Sequence, residues 1–228
     1  AQPFAALLDS VPVDVCFRHQ FGESIGRFGL QEDRQKTEDT RREARHLLDF
    51  RHPYILQLFG MTVTAEGPAL IVERSACSLE QLLHDRPLDS LFVVRIMAQV
   101  ASALNYLHKR VLNYNALVPG NVVLVGDIGN QSSAHLAKLS NFSQCRADRD
   151  IADFAAVLYM LMTNESDSVV SADTDPPSLT ELDFSCRAAA SVIRDARKGT
   201  VTASEIVKRL HLCELHLSSK DNASKFRL

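Results

Sequence analysis

The fourteen residues "DIADFAAVLYMLMT", Asp150–Thr163, carry apolar side chains on nearly every face of the helix that they predict. Such a helix has no side to give to water, so it belongs at the centre of a domain with other elements packed around it. The flanking sequence supplies those elements. "LFVVRIMAQVASALNYLHKR" repeats apolar residues at Val93, Ile96, Met97, Val100, Leu104 and Leu107, the spacing of one long helix. Ser78 can cap a short helix over "LEQLLHD", with Glu80 and Gln81 in its first turn. Residues 183–196 and 202–213 predict two closing helices, divided by Lys198-Gly199-Thr200. The polar residues 214–228 are expected to form a loose tail.

The N-terminal third has a different character. "VDVCF" alternates Val13, Val15 and Phe17 as a strand does. "ILQLFGMTV" and "PALIVER" predict two more strands joined around Gly67. Between them, "EDTRREARHLLDF" places Ala44, Leu47 and Leu48 at helical spacing, and His52-Pro53 ends that helix. Residues 18–30, with Gly22, Gly26 and Gly29, predict weak strands and turns. Farther on, Val122–Val125 and Leu136–Leu139 flank a turn-rich segment and predict a hairpin; "SADTDPPS" predicts a loop. The order is α+β: a strand-rich small lobe over residues 1–74, then a helical lobe with one hairpin over residues 75–213.

Composition narrows the function. The 228 residues are 46% hydrophobic and 23% charged, which is ordinary globular usage. A net charge of −3 supplies no basic field for nucleic acid or an anionic membrane. No apolar run is expected to approach the roughly 20 residues of a membrane span, and the N-terminus does not read as a secretory leader. Cys16, Cys77, Cys145, Cys186 and Cys213 are dispersed without metal-ligand spacing, as expected of reduced thiols in a cytoplasmic protein. Asn121 and Asn141 stand at the two ends of the hairpin. They could converge on a metal or phosphate, or each could close a turn through nearby backbone. Asparagine is a neutral and weak ligand for hard cations.

Six strings, in order, resemble the protein kinase fold, particularly its tyrosine-kinase and tyrosine-kinase-like branches. "RREARHLLDFRHPYILQLFGM" is similar to the regulatory helix and the strand after it, and "LIVERSACSLEQLLHD" to the hinge and the next helix. "YLHKRVLNYNALVPGNVVLV" resembles the long helix running into the catalytic loop, and "KLSNFSQC" the strand leading to the Asp-Phe-Gly metal site. "DIADFAAVLYMLMT" resembles the buried central helix and "TASEIVKRL" the last helix. The resemblance covers roughly residues 38–212 and implies a bilobal fold with a reduced small lobe.

It also implies where the chemistry would sit. Tyr114-Asn115-Ala116 takes the place of His-Arg-Asp, so Ala116 stands at the catalytic base and cannot accept a proton. Val118 replaces the nearby phosphate-contacting lysine. Asn121 matches the metal-binding asparagine, and Asn141-Phe142-Ser143 stands where Asp-Phe-Gly would be, without its charge. Glu43 matches the regulatory-helix glutamate. Upstream, Arg27 is the nearest basic candidate partner, and arginine does not replace a compact ammonium. Two readings of Glu43 stay open: a structural ion pair with Arg27, or a place in a solvated face beside Arg41, Arg42 and Arg45. No G-x-G-x-x-G phosphate cradle precedes them. After Phe142 only "SQCRADR" leads to Asp150, where the family has a long substrate-binding segment.

The resemblance thus implies a pseudokinase without catalytic, cofactor-binding or metal residues, serving as a protein-interaction or allosteric regulatory module in signalling. Its partners are expected to be proteins or other domains of a larger signalling protein, with homodimerisation open and Arg41, Arg42 and Arg45 as the docking face. A nucleotide-binding domain without turnover is the alternative, and an atypical ATP-dependent phosphotransferase a more distant one.

Overall fold

A computed structural model describes residues 4–8, 11–17, 30–64, 67–126, 135–142, 149–164 and 187–225. The small lobe is an antiparallel sheet of β1 (Phe4–Leu8), β2 (Val11–Phe17), β3 (Leu58–Thr64) and β4 (Gly67–Glu73), in the order β1-β2-β4-β3. The three strands expected from "VDVCF", "ILQLFGMTV" and "PALIVER" are present as β2, β3 and β4, and β1 adds an edge that was not expected. Gly67 adopts φ +119 where β4 begins, a conformation that side chains resist. Helix α1 (Leu30–Asp49) packs on β4 and β3, burying Ala44 and Leu47. It begins eight residues before the expected start at Glu38, because its first turns, "LQEDRQKT", are polar and show no apolar period. The weak strands and turns expected over residues 18–29, and the loop "SADTDPPS", lie outside the described residues.

The large lobe follows β5 (Cys77–Ser78). Helix α2 (Leu79–Asp85) starts at the predicted cap: Ser78 Oγ accepts the Gln81 N–H at 3.2 Å, and Gln81 Oε1 accepts the Ser78 N–H at 2.9 Å. Asp89 caps α3 (Ser90–His108) through the amides of Leu91 and Phe92. A 3-10 turn (Pro119–Asn121) leads into the hairpin β6 (Val122–Val125) and β7 (Leu136–Leu139), which joins β5 in a second sheet. The lobe is completed by α4 (Asp150–Thr163), α5 (Arg187–Arg197) and α6 (Ala203–Lys225). Phe154, Val157, Leu158 and Leu161 of α4 are all buried, as its apolar circumference requires. Among the described residues α3 is the one helix long and apolar enough to cross a membrane by length and composition. This corrects the expectation that no apolar run approaches that length. In the fold, α3 buries its apolar residues against α6, β7 and α4.

One expectation fails. Residues 214–225 are not a loose tail: α6 continues to Lys225. Leu210, Cys213 and Leu217 are buried in the core, and Glu214 holds Arg95 of α3 at 3.0 Å. The polar residues between them had hidden this stripe.

The lobes share one core, running from Ala44, Leu47, Leu70 and Val72 to Leu139, Phe142 and α4. Leu56 donates to the Leu139 carbonyl at 2.9 Å, and Leu139 donates back to Tyr54 at 3.0 Å. Lys138 Nζ meets Glu73 Oε1 at 2.7 Å, tying β7 to the end of β4. After α3 the chain turns through Val111, which has φ +60 and is 93% exposed. A β-branched residue is strained in that region, where glycine is not.

Two substitutions test this architecture. Leu158→Ala should cost about 2–5 kcal/mol in denaturant unfolding; a loss below about 0.5 kcal/mol would be that of a surface residue. Val111→Gly should gain about 1 kcal/mol by relieving strain without removing buried surface. A clear loss would contradict the left-handed turn.

Candidate functional site

Asp150 opens α4 and is fully buried. Its carboxylate accepts the Tyr114 N–H at 2.7 Å and the Asn115 N–H at 2.5 Å, and lies 2.8 Å from His108 Nε2. A buried carboxylate is tolerable only with such donors, and its place in the first turn of a helix adds a favourable dipole. The consequence is a fixed loop at residues 114–116. Asn115 takes φ +56 there, which asparagine tolerates better than most residues.

Tyr114 then points into the core, 1% exposed. Its hydroxyl donates to the Ser140 carbonyl, and its ring lies 5.0 Å from that of Phe142. The Phe142 ring lies tilted against Phe50 at 5.3 Å, and Phe50 stacks on His46 at 6.1 Å, so an aromatic column joins the loop to α1. Burial pushes the Tyr114 phenol well above the ordinary tyrosine range, with the charges of Glu43 and Asp150 adding to the effect.

Glu43 is inside, 8% exposed, and its Oε1 accepts the Phe142 N–H at 3.0 Å. That rules out a solvated face for this residue. Nearby, His46 Nδ1 meets the Phe142 carbonyl at 3.1 Å. Glu43 and His46 therefore hold the Phe142 backbone in place from α1. Arg27, its candidate partner, and Ser143, the last of the three motif residues, lie outside the described residues. The strand preceding α1 in the sheet, Val11–Phe17, contains no lysine or arginine.

The two asparagines face each other. Asn121 Nδ2 donates to the Ala116 carbonyl at 2.7 Å, and Asn121 Oδ1 accepts from Asn141 Nδ2 at 3.2 Å. The Asn121 carbonyl accepts both the Ser140 N–H at 3.0 Å and the Ser140 hydroxyl at 2.9 Å. Asn141 sits at φ +56, again a conformation suited to asparagine. The fold thus brings Ala116, Asn121 and Asn141 together at the hairpin's end, where they share hydrogen bonds between neutral amides. Val118 is half-exposed beside them. Among the described residues no group of three or more His, Cys, Asp or Glu side chains could hold a metal ion.

Arg41, Arg42 and Arg45 lie together on the exposed side of α1. Two are partly neutralised along the helix: Arg42 is 3.8 Å from Asp39, and Arg45 is 3.7 Å from Glu38. At the end of α1 an open groove of about 610 Å³ is lined by His46, Asp49, Phe50, Arg110 and Leu112. Arg110 donates to the Asp49 carbonyl at 3.1 Å and lies over the Tyr106 ring at 4.6 Å. Sequence reasoning missed His46 and His108, whose roles depend on residues distant in the chain, and the buried Asp14. An aspartate inside "VDVCF" was the one available signal for the last.

Residues 27–154 match the family model of the protein kinase domain, and every described residue of the hairpin site and the aromatic column falls within that range. One relative is the tyrosine-protein kinase Abl of Drosophila melanogaster, 29% identical over 136 residues. The aligned part covers 58% of this chain and 8% of that protein's length.

Tyr114 supplies a pH test. Its folded-state proton is held above the ordinary value, so its contribution is fully present below about pH 10 and lost as pH rises beyond it. Absorbance titration should show Tyr114, one of the four tyrosines, ionising only as the chain unfolds in alkali. Tyr114→Phe should remove one tyrosine from that step, at a cost of about 0.5–1.5 kcal/mol at neutral pH for the lost hydrogen bond. Free titration of all four tyrosines in the folded chain would contradict the burial.

Proposed function

Because this chain belongs to the protein kinase domain family, we propose that it is a catalytically inactive member: a pseudokinase acting as a protein-interaction or allosteric module in cytoplasmic signalling. The observation that carries this is the closed amide arrangement at the hairpin's end. Phosphoryl transfer depends on positioning and charge neutralisation, with a carboxylate base and anionic metal ligands in named places. Here the base position is Ala116, whose carbonyl already accepts from Asn121. Asn141 stands at the metal position and donates to Asn121. Glu43 holds a backbone amide of the motif. Each group satisfies the fold's own polar atoms. The shortness of "SQCRADR" before α4 adds the lack of a substrate platform.

The interaction role has separate support. Arg41, Arg42 and Arg45 give α1 a basic outer side, suited to an acidic partner protein or a neighbouring domain of the same protein. Val111 is strained and almost fully exposed beside Arg110 and Leu112 of the groove, and strain of this kind is found at functional surfaces. The dispersed cysteines agree with a reducing, cytoplasmic setting.

The test restores the two missing carboxylates. Ala116→Asp with Asn141→Asp should give no phosphate transfer from labelled ATP, to a generic protein substrate or to the chain itself. The nucleotide still lacks its cradle and its lysine, and orientation carries much of the ~7–11 kcal/mol available to positioned reactants. Transfer by the folded double variant would overturn the reading. For docking, reversing the charge of Arg41, Arg42 and Arg45 should slow association with a bound protein, with a steep salt dependence. Unchanged rates would remove α1 from the interface.

A further inference from the structure

The basic side of α1 does not end at its arginines. Arg41, Arg45, Leu48 and Asp49 recur at three- and four-residue steps, so they form one exposed stripe along the helix, with Arg42 beside it. The stripe runs into the open groove of about 610 Å³, which Asp49 and Phe50 line from this helix end and Arg110 and Leu112 from the turn after α3. Two hydrogen bonds fix the helix ends together there. Arg110 donates to the Asp49 carbonyl, and the Arg51 N–H donates to the Tyr106 hydroxyl at 3.1 Å. Arg51, Lys109 and Arg110 add three more exposed cations, against the carboxylates of Glu38, Asp39 and Asp49. In a chain of net charge −3, this surface has the opposite sign. Exposed apolar area collects at the same place, at Leu48 (56% exposed), Val111 and Leu112.

Groove and stripe call for different chemistry. Phe50 and Leu112 offer apolar wall, while Asp49 in the lining repels a second carboxylate. An apolar side chain therefore belongs in the groove, and acidic groups belong outside it, on Arg45, Arg42 and Arg41. The pairs already there, Arg42 with Asp39 and Arg45 with Glu38, are long and exposed, so incoming carboxylates displace them at little cost. At 1.5 Å per helical residue, Arg45 lies about 6 Å and Arg41 about 12 Å from Asp49 along the axis. An extended chain covers those distances in about two to four residues. A flat anionic bilayer cannot fill the groove, and the chain's net negative charge opposes it.

We propose that this surface docks one kind of segment from a partner protein: a short, extended, acidic peptide. It seats one large apolar side chain in the groove and lays carboxylates along Arg45, Arg42 and Arg41, about two to four residues from that anchor. The inference rests on the interaction role proposed above and adds the ligand's chemistry and spacing, together with the half of the surface supplied by the turn after α3.

The probes are capped peptides carrying an uncharged fluorophore, one phenylalanine and a run of three glutamates, made in both orders. In one set the run begins two residues from the phenylalanine; in the other it begins eight residues away, past Arg41. Anisotropy is read on the whole 228-residue chain. The short spacing should bind about fivefold or more tighter in at least one order, with affinity falling as salt rises. Leu112→Ala should weaken that peptide about fivefold and keep its salt dependence. Arg41→Glu with Arg45→Glu should weaken it at least as much and flatten the salt dependence. Both arginines are exposed, so this variant should fold, as a melting curve will check, and it decides the matter if Leu112→Ala does not. No binding at millimolar peptide, or equal binding at both spacings, would overturn the proposal and leave the pseudokinase reading untouched. So would capture by phosphatidylserine vesicles, or self-association lost in Leu112→Ala, in the absence of peptide binding. Phosphate transfer from ATP to a bound peptide would overturn the pseudokinase reading and leave the docking site in place.

Discussion

The carboxylate of Asp150 is the interaction on which the rest of the site depends. It is fully buried at the start of the central helix, and three donors from the preceding helix and loop converge on it. A charge placed there without them would cost several kilocalories per mole, so α4 can be buried only if the loop at Tyr114 and Asn115 is folded against it. The loop sends Tyr114 inward, Tyr114 meets Phe142 and the Ser140 carbonyl, and Ser140 is bound in turn to Asn121. Glu43 then completes the chain of contacts from α4 to α1.

Asp150, Glu43, Phe142 and Asn121 each satisfy a buried or half-buried neighbour, so their roles in the fold are complete without a ligand. On the function proposed above, Ala116 and Asn141 are the positions whose partners would otherwise be phosphate or metal. Glu73–Lys138 and Glu43–Phe142 tie the sheet and α1 to the large lobe, and Asp14–Ser75 ties the sheet to the connector.

Much of this was legible in the sequence, for identifiable reasons. Apolar periodicity located α3 and α4, and the cap at Ser78 located α2, because both are local signals. The asparagines at the ends of the hairpin were legible as a pair, and both of their readings rested on neutral amide chemistry. What was hidden is the part set by tertiary partners. Glu43 sits among arginines in "RREAR" and looks solvated until Phe142 arrives from far along the chain. The last turns of α6 look like a tail until Arg95 and the core claim Glu214 and Leu217. Asp14 falls on the polar side of a strand's alternation and looks solvated until Ser75 claims it from far along the chain.

The central claim is that the polar groups at the hairpin's end satisfy each other and hold no charge for a metal–nucleotide complex. Isothermal titration of the chain with ATP and magnesium tests it most directly. The account expects no binding heat at physiological nucleotide levels, with or without the metal. Low-micromolar binding that requires magnesium would mean that Asn121 and Asn141 part to admit a cation, and would contradict it.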